Sequence, residues 1–182
     1  MVSEASGATI HDDTNSAYRA AVATANITPE EPTYVQGFLQ GGAMMDDAAT
    51  PLLLQLLLLE DSNYNKVLIA RADIFGFSDA LVSDVRRELR RWGLPPESIL
   101  LNASHTHYAP GTTDSVLQAL GRYYPEYSRA IAQAIVDLMP HLYDSLESCH
   151  ILRGVADCQI GANRTGPSDN AFCGAPNPDG YY

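Results

Sequence analysis

The sequence predicts an α/β fold: a mixed β-sheet with flanking helices. Three observations carry this. Residues 51–60 are a nearly continuous apolar run, and residues 66–75 are a second one, joined by Asp61-Ser62-Asn63-Tyr64-Asn65. Leu81, Val85, Leu89 and Trp92 then recur at i, i+4, i+8 and i+11, which makes one apolar helix face. Residues 98–103 follow as another apolar strand after only a few linking residues. A strand–helix–strand succession with short links is the signature of a crossover between parallel strands.

The other elements follow in chain order. Residues 1–17 are polar and aperiodic and read as a flexible tail. Residues 20–27 are small, apolar and partly β-branched, and they stop at Thr28-Pro29-Glu30-Glu31-Pro32, so they read as a strand ending in a turn. Gly37, Gly41 and Gly42 make residues 36–47 a loop. The 51–60 run is leucine-rich, which favours a helix. Its opening Pro51, its shortness and the polar turn after it favour a strand. Ser78 is placed to cap the helix, Asp79 and Asp84 lie toward its positive end, and Arg86, Arg87, Arg90 and Arg91 lie toward its negative end. Gly93 stops it, with Pro95-Pro96 beyond.

Residues 114–146 read as mostly helical, divided at Pro125 and disturbed near the end by Pro140. Ala130, Ile131, Ala134, Ile135 and Leu138 form the expected buried stripe of the second piece. Residues 149–160 read as a last strand. From Gly161 the chain is rich in Gly, Pro, Asn and Asp. The expected organisation is a tail (1–17), an α/β domain (18–164) and an irregular C-terminal segment (165–182).

Composition excludes several functions. The chain has 182 residues, enough for one domain, and 22 acidic against 11 basic residues give a net charge of −11. A nucleic-acid binder or a protein docked on anionic lipid needs a cationic footprint, so neither partner is expected. Lys66 is the only lysine, and hence the only candidate for Schiff-base chemistry. The three cysteines, Cys149, Cys158 and Cys173, include no CxxC pair, which removes zinc-ribbon and thioredoxin readings and leaves one disulfide open. The N-terminus shows no secretory signal pattern, so a cytoplasmic location is the default. No apolar stretch approaches the ~20 residues of a membrane helix, so no transmembrane segment is expected. GxSxG, P-loop, GxGxxG and HExxH motifs are absent.

The chemistry concentrates in Leu100-Leu-Asn-Ala-Ser-His-Thr-His-Tyr-Ala-Pro-Gly111. Residues i and i+2 of a strand share a face, so His105 and His107 are expected to project together at the C-terminal end of a core strand. In open α/β sheets ligands bind at that end. Two imidazoles there can share a divalent metal or divide the work as ligand and acid/base, while histidines at strand ends also serve as backbone hydrogen-bond partners. His11, His141 and His150 read as structural or surface residues. Asp73 ends the 66–75 strand; it either orients a ligand histidine or caps the following turn. Arg164 could clamp a substrate oxygen, or could be a solvated loop arginine.

Four segments together resemble the N-terminal region of the neutral/alkaline (non-lysosomal) ceramidase family. Ala21-Val-Ala-Thr-Ala-Asn-Ile-Thr-Pro29 resembles its opening strand and turn, with Asn26 where Asp is usual. Val67-Leu-Ile-Ala-Arg-Ala-Asp73 resembles a strand ending in an acidic residue. Pro95 to His107 resembles the approach to a T-H-T-H-S-G-P signature, and Asn163-Arg164 with Asn177-Pro-Asp-Gly180 resembles a late N-R segment and turn.

The resemblance implies a zinc-dependent amidase that hydrolyses an N-acyl amide such as ceramide with a zinc-activated water. It implies His105 as a zinc ligand, His107 shaping the site or assisting proton transfer, and Arg164 at the substrate end as a catalytic and substrate-binding residue; Tyr108, next to His107, is a further candidate substrate contact. The chain departs from the family where Tyr108-Ala109-Pro110 replaces S-G-P and where Ala49-Thr50-Pro51-Leu52 replaces H-D-P-L. The family's second histidine, glutamate and tyrosine ligands have no counterpart here. The expectation is therefore an N-terminal fragment or a divergent member, with a zinc site that is incomplete in this chain and no activity of the chain on its own. The alternative is an inactive remnant or a binding module without a complete metal site.

Overall fold

The structure is a computed structural model and describes residues 11–12, 18–37, 44–45, 50–114 and 121–155. The chain divides into two compact units, 15–150 and one formed by the two terminal segments. In the terminal unit β1 (His11–Asp12) pairs antiparallel with β9 (Leu152–Arg153).

The larger unit is built on a five-stranded mixed sheet in the order β7-β6-β5-β2-β8, where β2 is Tyr18–Asn26, β5 Leu53–Glu60, β6 Lys66–Ala72, β7 Ile99–Ala103 and β8 Glu147–Cys149. All neighbours are antiparallel except β6 and β7. Two-residue strands β3 (Thr33–Tyr34) and β4 (Met44–Met45) pair antiparallel with each other, and β4 falls inside the segment whose glycines read as a loop. The leucine run is the central strand β5. Leu54, Leu56 and Leu58 alternate inward and are buried, which is the period-2 signal that a helix would not give. The link to β6 is a tight turn in which Asp61 Oδ1 accepts from the amides of Asn63 and Asn65, each at 2.8 Å.

Helix α1 (Asp79–Leu89) crosses from β6 to the parallel β7. Ser78 Oγ accepts from the Leu81 amide, and Leu81, Val85 and Leu89 are buried. A 3-10 turn, Arg90–Trp92, follows, and Gly93 closes it in the left-handed region at φ +71°. Helix α2 (Pro125–Asp144) lies on the same face of the sheet, and its apolar side joins one core with α1 and the inward residues of β2, β5, β6 and β7. The fold class is therefore as expected from sequence.

Three details differ. α2 runs straight through Pro140, because fully buried Met139 and Leu142 hold its last turns on the core and outweigh one lost backbone bond. Its buried stripe is Ser128, Ile131, Ala132, Ile135, Val136, Met139 and Leu142, with Ala130 exposed, because small alanines give little directional signal. The last strand is interrupted: β8 stops at Cys149, and residues 156–160 lie outside the described residues.

Lys66 is not a free nucleophile. With Arg19 it pins the buried Glu60 across three strands, each at 2.8 Å, at the end of β6 remote from Asp73. On the opposite face of the sheet Val22 is 68% and Leu100 55% exposed.

Two outcomes follow for stability. Leu58→Ala empties a fully buried position in the central strand, and its cost is about 2–5 kcal/mol, read as a lower urea midpoint at unchanged slope. The bond from Lys66, then that from Arg19, hold the Glu60 carboxyl below its ordinary 4.5 even though burial opposes them. The folded value lies below the unfolded one. The stabilisation is therefore complete above the unfolded value and is lost as pH falls through the folded value. Glu60→Gln flattens that acid limb in thermal melts taken across the range.

Candidate functional site

β6 and β7 are parallel in the register Leu68↔Ile99 to Ala72↔Ala103, so both chains leave the sheet at the same edge. The Ser104 amide continues the pairing with a 3.0 Å bond to the Ala72 carbonyl. Asp73 to Phe75 and His105 to His107 are thereby laid side by side, at the strand ends where α/β sheets carry their ligands.

The strand itself ends at Ala103, so the two histidines do not share a face by strand alternation as the sequence reading supposed. His105 sits at φ +60°, in the left-handed region, which a residue with a side chain occupies at a cost of order 1–3 kcal/mol. The reversal still brings the rings together. Their centroids are 5.3 Å apart in an edge arrangement, and Phe75 lies against both, at 4.3 Å from His105 and 5.2 Å from His107.

His105 Nδ1 lies 2.8 Å from the Phe75 carbonyl oxygen. A carbonyl only accepts, so Nδ1 carries the proton in the neutral ring and Nε2 keeps its lone pair. That is the arrangement in which an imidazole ligates a metal or accepts a proton, with its orientation set by the bond on the other nitrogen.

Asp73 is engaged within its own end of the sheet. Its carboxylate takes Arg71 at 2.6 and 3.2 Å and the Leu53 amide at 3.1 Å. Its charge also reaches Tyr127. Burial first, and then Asp73, push that phenol far above its ordinary range, so the hydroxyl stays protonated and donates to the Ile27 carbonyl at 2.9 Å. Tyr108 is 66% exposed at the rim, where its amide donates to Thr106 Oγ1 at 3.2 Å. Arg164 lies outside the described residues.

Sequence reasoning missed Phe75, which packs on both imidazoles, and the pair Gln36–Gly37. In sequence Gly37 is one of three glycines in a predicted loop, and nothing local marks it or Gln36 as part of the site.

No protein-family model matches this chain, and no curated protein matches it at significance. Among solved structures it is similar to neutral ceramidase from Pseudomonas aeruginosa, with 17% identity and a TM-score of 0.60 over 74% of this chain and 22% of that one. A ceramidase complexed with C2 gives 18% identity, a TM-score of 0.59 and the same coverage. The fold is ceramidase-like. The likeness is one of fold, and this chain spans about a fifth of the length of those ceramidases. Among the described residues no helix of this ceramidase-like unit is long and apolar enough to cross a membrane.

The geometry specifies a tautomer. Long-range 1H–15N correlation spectra at neutral pH should show His105 protonated on Nδ1. Protonation on Nε2 would mean that the Phe75 bond does not form in solution.

Proposed function

We propose that this chain carries the histidine side of a zinc-dependent, ceramidase-like amidase site whose substrate is an N-acyl amide, with a lipid amide such as ceramide the leading class. The observation that supports this reading is the convergence of His105 and His107 on Phe75 at the open edge of a ceramidase-like sheet, with His105 Nε2 left bearing its lone pair. Imidazole nitrogens are ordinary zinc donors, so the two rings suit the metal. Among the described residues no group of three or more His, Cys, Asp or Glu side chains converges. The rest of the ligand set, in this reading, is supplied from outside the described residues.

His105 is the ligand, presented by its bond to Phe75. His107, an edge contact away, shapes the same side of the site and, in this reading, gives a proton to the leaving amine. Tyr108 and Arg164 meet the substrate, and Asp73 orders the strand ends from which both histidines hang. A bound zinc ion would supply Lewis-acid activation of water, bringing its pKa to near 7.

The test is zinc content after exchange against a weak chelator, wild type beside His105→Ala, together with hydrolysis of a short-chain N-acyl sphingosine. Wild type is expected to take up zinc through its histidine side, more weakly than a complete four-ligand site does. His105→Ala is expected to lose it with a drop in affinity of ~100-fold or more, the scale at which even outer partners act, and with it any hydrolysis. Equal zinc in both proteins places the metal elsewhere. No zinc in either favours the inactive remnant or binding module.

A further inference from the structure

The geometry points to Gly37 as the positioning residue of the histidine pair: its backbone sets where the His107 imidazole lies, and Gln36 locks Gly37 in place. The inference rests on the reading that His105 and His107 form one site, and it assigns the part of the fold that holds the second ring.

Gly37 has φ +105°, a conformation that residues with side chains rarely adopt. A β-carbon there would stand 2.6 Å from both Cγ and Nδ1 of His107 and 2.9 Å from Cδ2. Those distances are well inside van der Waals contact, so the glycine backbone lies directly on the imidazole. Phe75 and His105 bound the same ring at centroid distances of 5.2 and 5.3 Å. His107 is thus walled by two rings and a stretch of backbone, and only glycine leaves it that place.

Gly37 is itself held through Gln36, which is fully buried. The Gln36 amide donates to the Ala109 carbonyl at 3.0 Å. Its carboxamide oxygen accepts from the Thr112 amide at 3.2 Å, the Thr113 amide at 3.4 Å and Thr113 Oγ1 at 3.1 Å, and its nitrogen donates to the Thr113 carbonyl at 2.9 Å. Val35 bridges to Pro110 beside it. A buried amide with both ends satisfied resists displacement, because leaving either end unpaired in the core is costly. Every one of these bonds reaches the loop that begins two residues after His107. Segment 35–37 and loop 109–113 are therefore tied to each other, and the Gly37 backbone that faces the imidazole is held by that tie.

The experiment uses the full chain. Gly37→Ala is compared with Gly93→Ala, which also replaces a left-handed glycine, at φ +71°, but with nothing within 4 Å of the added carbon. His107→Ala and the double variant Gly37→Ala/His107→Ala complete a cycle. Imidazole 1H–13C spectra and thermal midpoints are read for each.

Gly37→Ala should displace the His107 ring signals while Gly93→Ala leaves them in place, and its midpoint should fall further than that of Gly93→Ala. Removing the ring should return part of the loss, so the double variant melts above Gly37→Ala, or folds where Gly37→Ala does not. Unmoved His107 signals in Gly37→Ala would overturn the proposal, as would an equal penalty with and without the imidazole. None of these readouts needs metal. A chain that binds no zinc but shows the ring displacement refutes the zinc reading and leaves the positioning role standing.

Discussion

The parallel pairing of β6 with β7 is the constraint on which the rest depends. An antiparallel pair would send the two chains out of opposite edges, and the residues after Ala72 would never meet those after Ala103. The crossover helix prevents that. Ser78 starts it, its buried Leu81–Val85–Leu89 face holds it on the sheet, and Gly93 turns the chain back. Ala70 and Ala72 are buried in the core at this end of the pair, and Ala103 packs against it. The site is in this sense a by-product of handed βαβ geometry rather than of the HxH spacing alone.

Local strain and local bonding oppose each other at the histidines. The left-handed turn at His105 is unfavourable for a residue with a β-carbon. The bond to the Phe75 carbonyl contributes about 1 kcal/mol or somewhat more, and the ring contacts with Phe75 add about 0.5–1.5 kcal/mol. The same interactions that offset the strain fix the tautomer and bring the second ring near. Asp73, in contrast, is neutralised by Arg71 and serves the sheet edge, so the two imidazoles rather than a carboxylate give the site its character.

Much of the fold was legible in sequence because most elements carried a local signal. Pro51, the shortness of the run and the polar turn after it marked the β5 leucines as a strand where their periodicity did not, and the i, i+4 recurrence with a serine cap marked α1. The site was legible only in outline. The expectation that His105 and His107 come together holds, but for a different reason, since it relied on strand alternation that stops at Ala103. A left-handed histidine carries no sequence mark when its cause is a partner thirty residues away at Phe75. Gln36 and Gly37 act across seventy residues or more, and no local pattern reports such a contact. The Ala130 error in α2 has a similar origin: alanine fits either face, and only the larger Ile131, Ile135, Met139 and Leu142 declare the buried one.

The central claim is that the β6–β7 edge presents His105 to a metal. Zinc K-edge X-ray absorption on the zinc-loaded full chain tests it most directly. The account predicts imidazole nitrogen scattering at about 2.0–2.1 Å, with the imidazole contribution lost in His105→Ala. A coordination shell of oxygen alone, unchanged by that substitution, would contradict it.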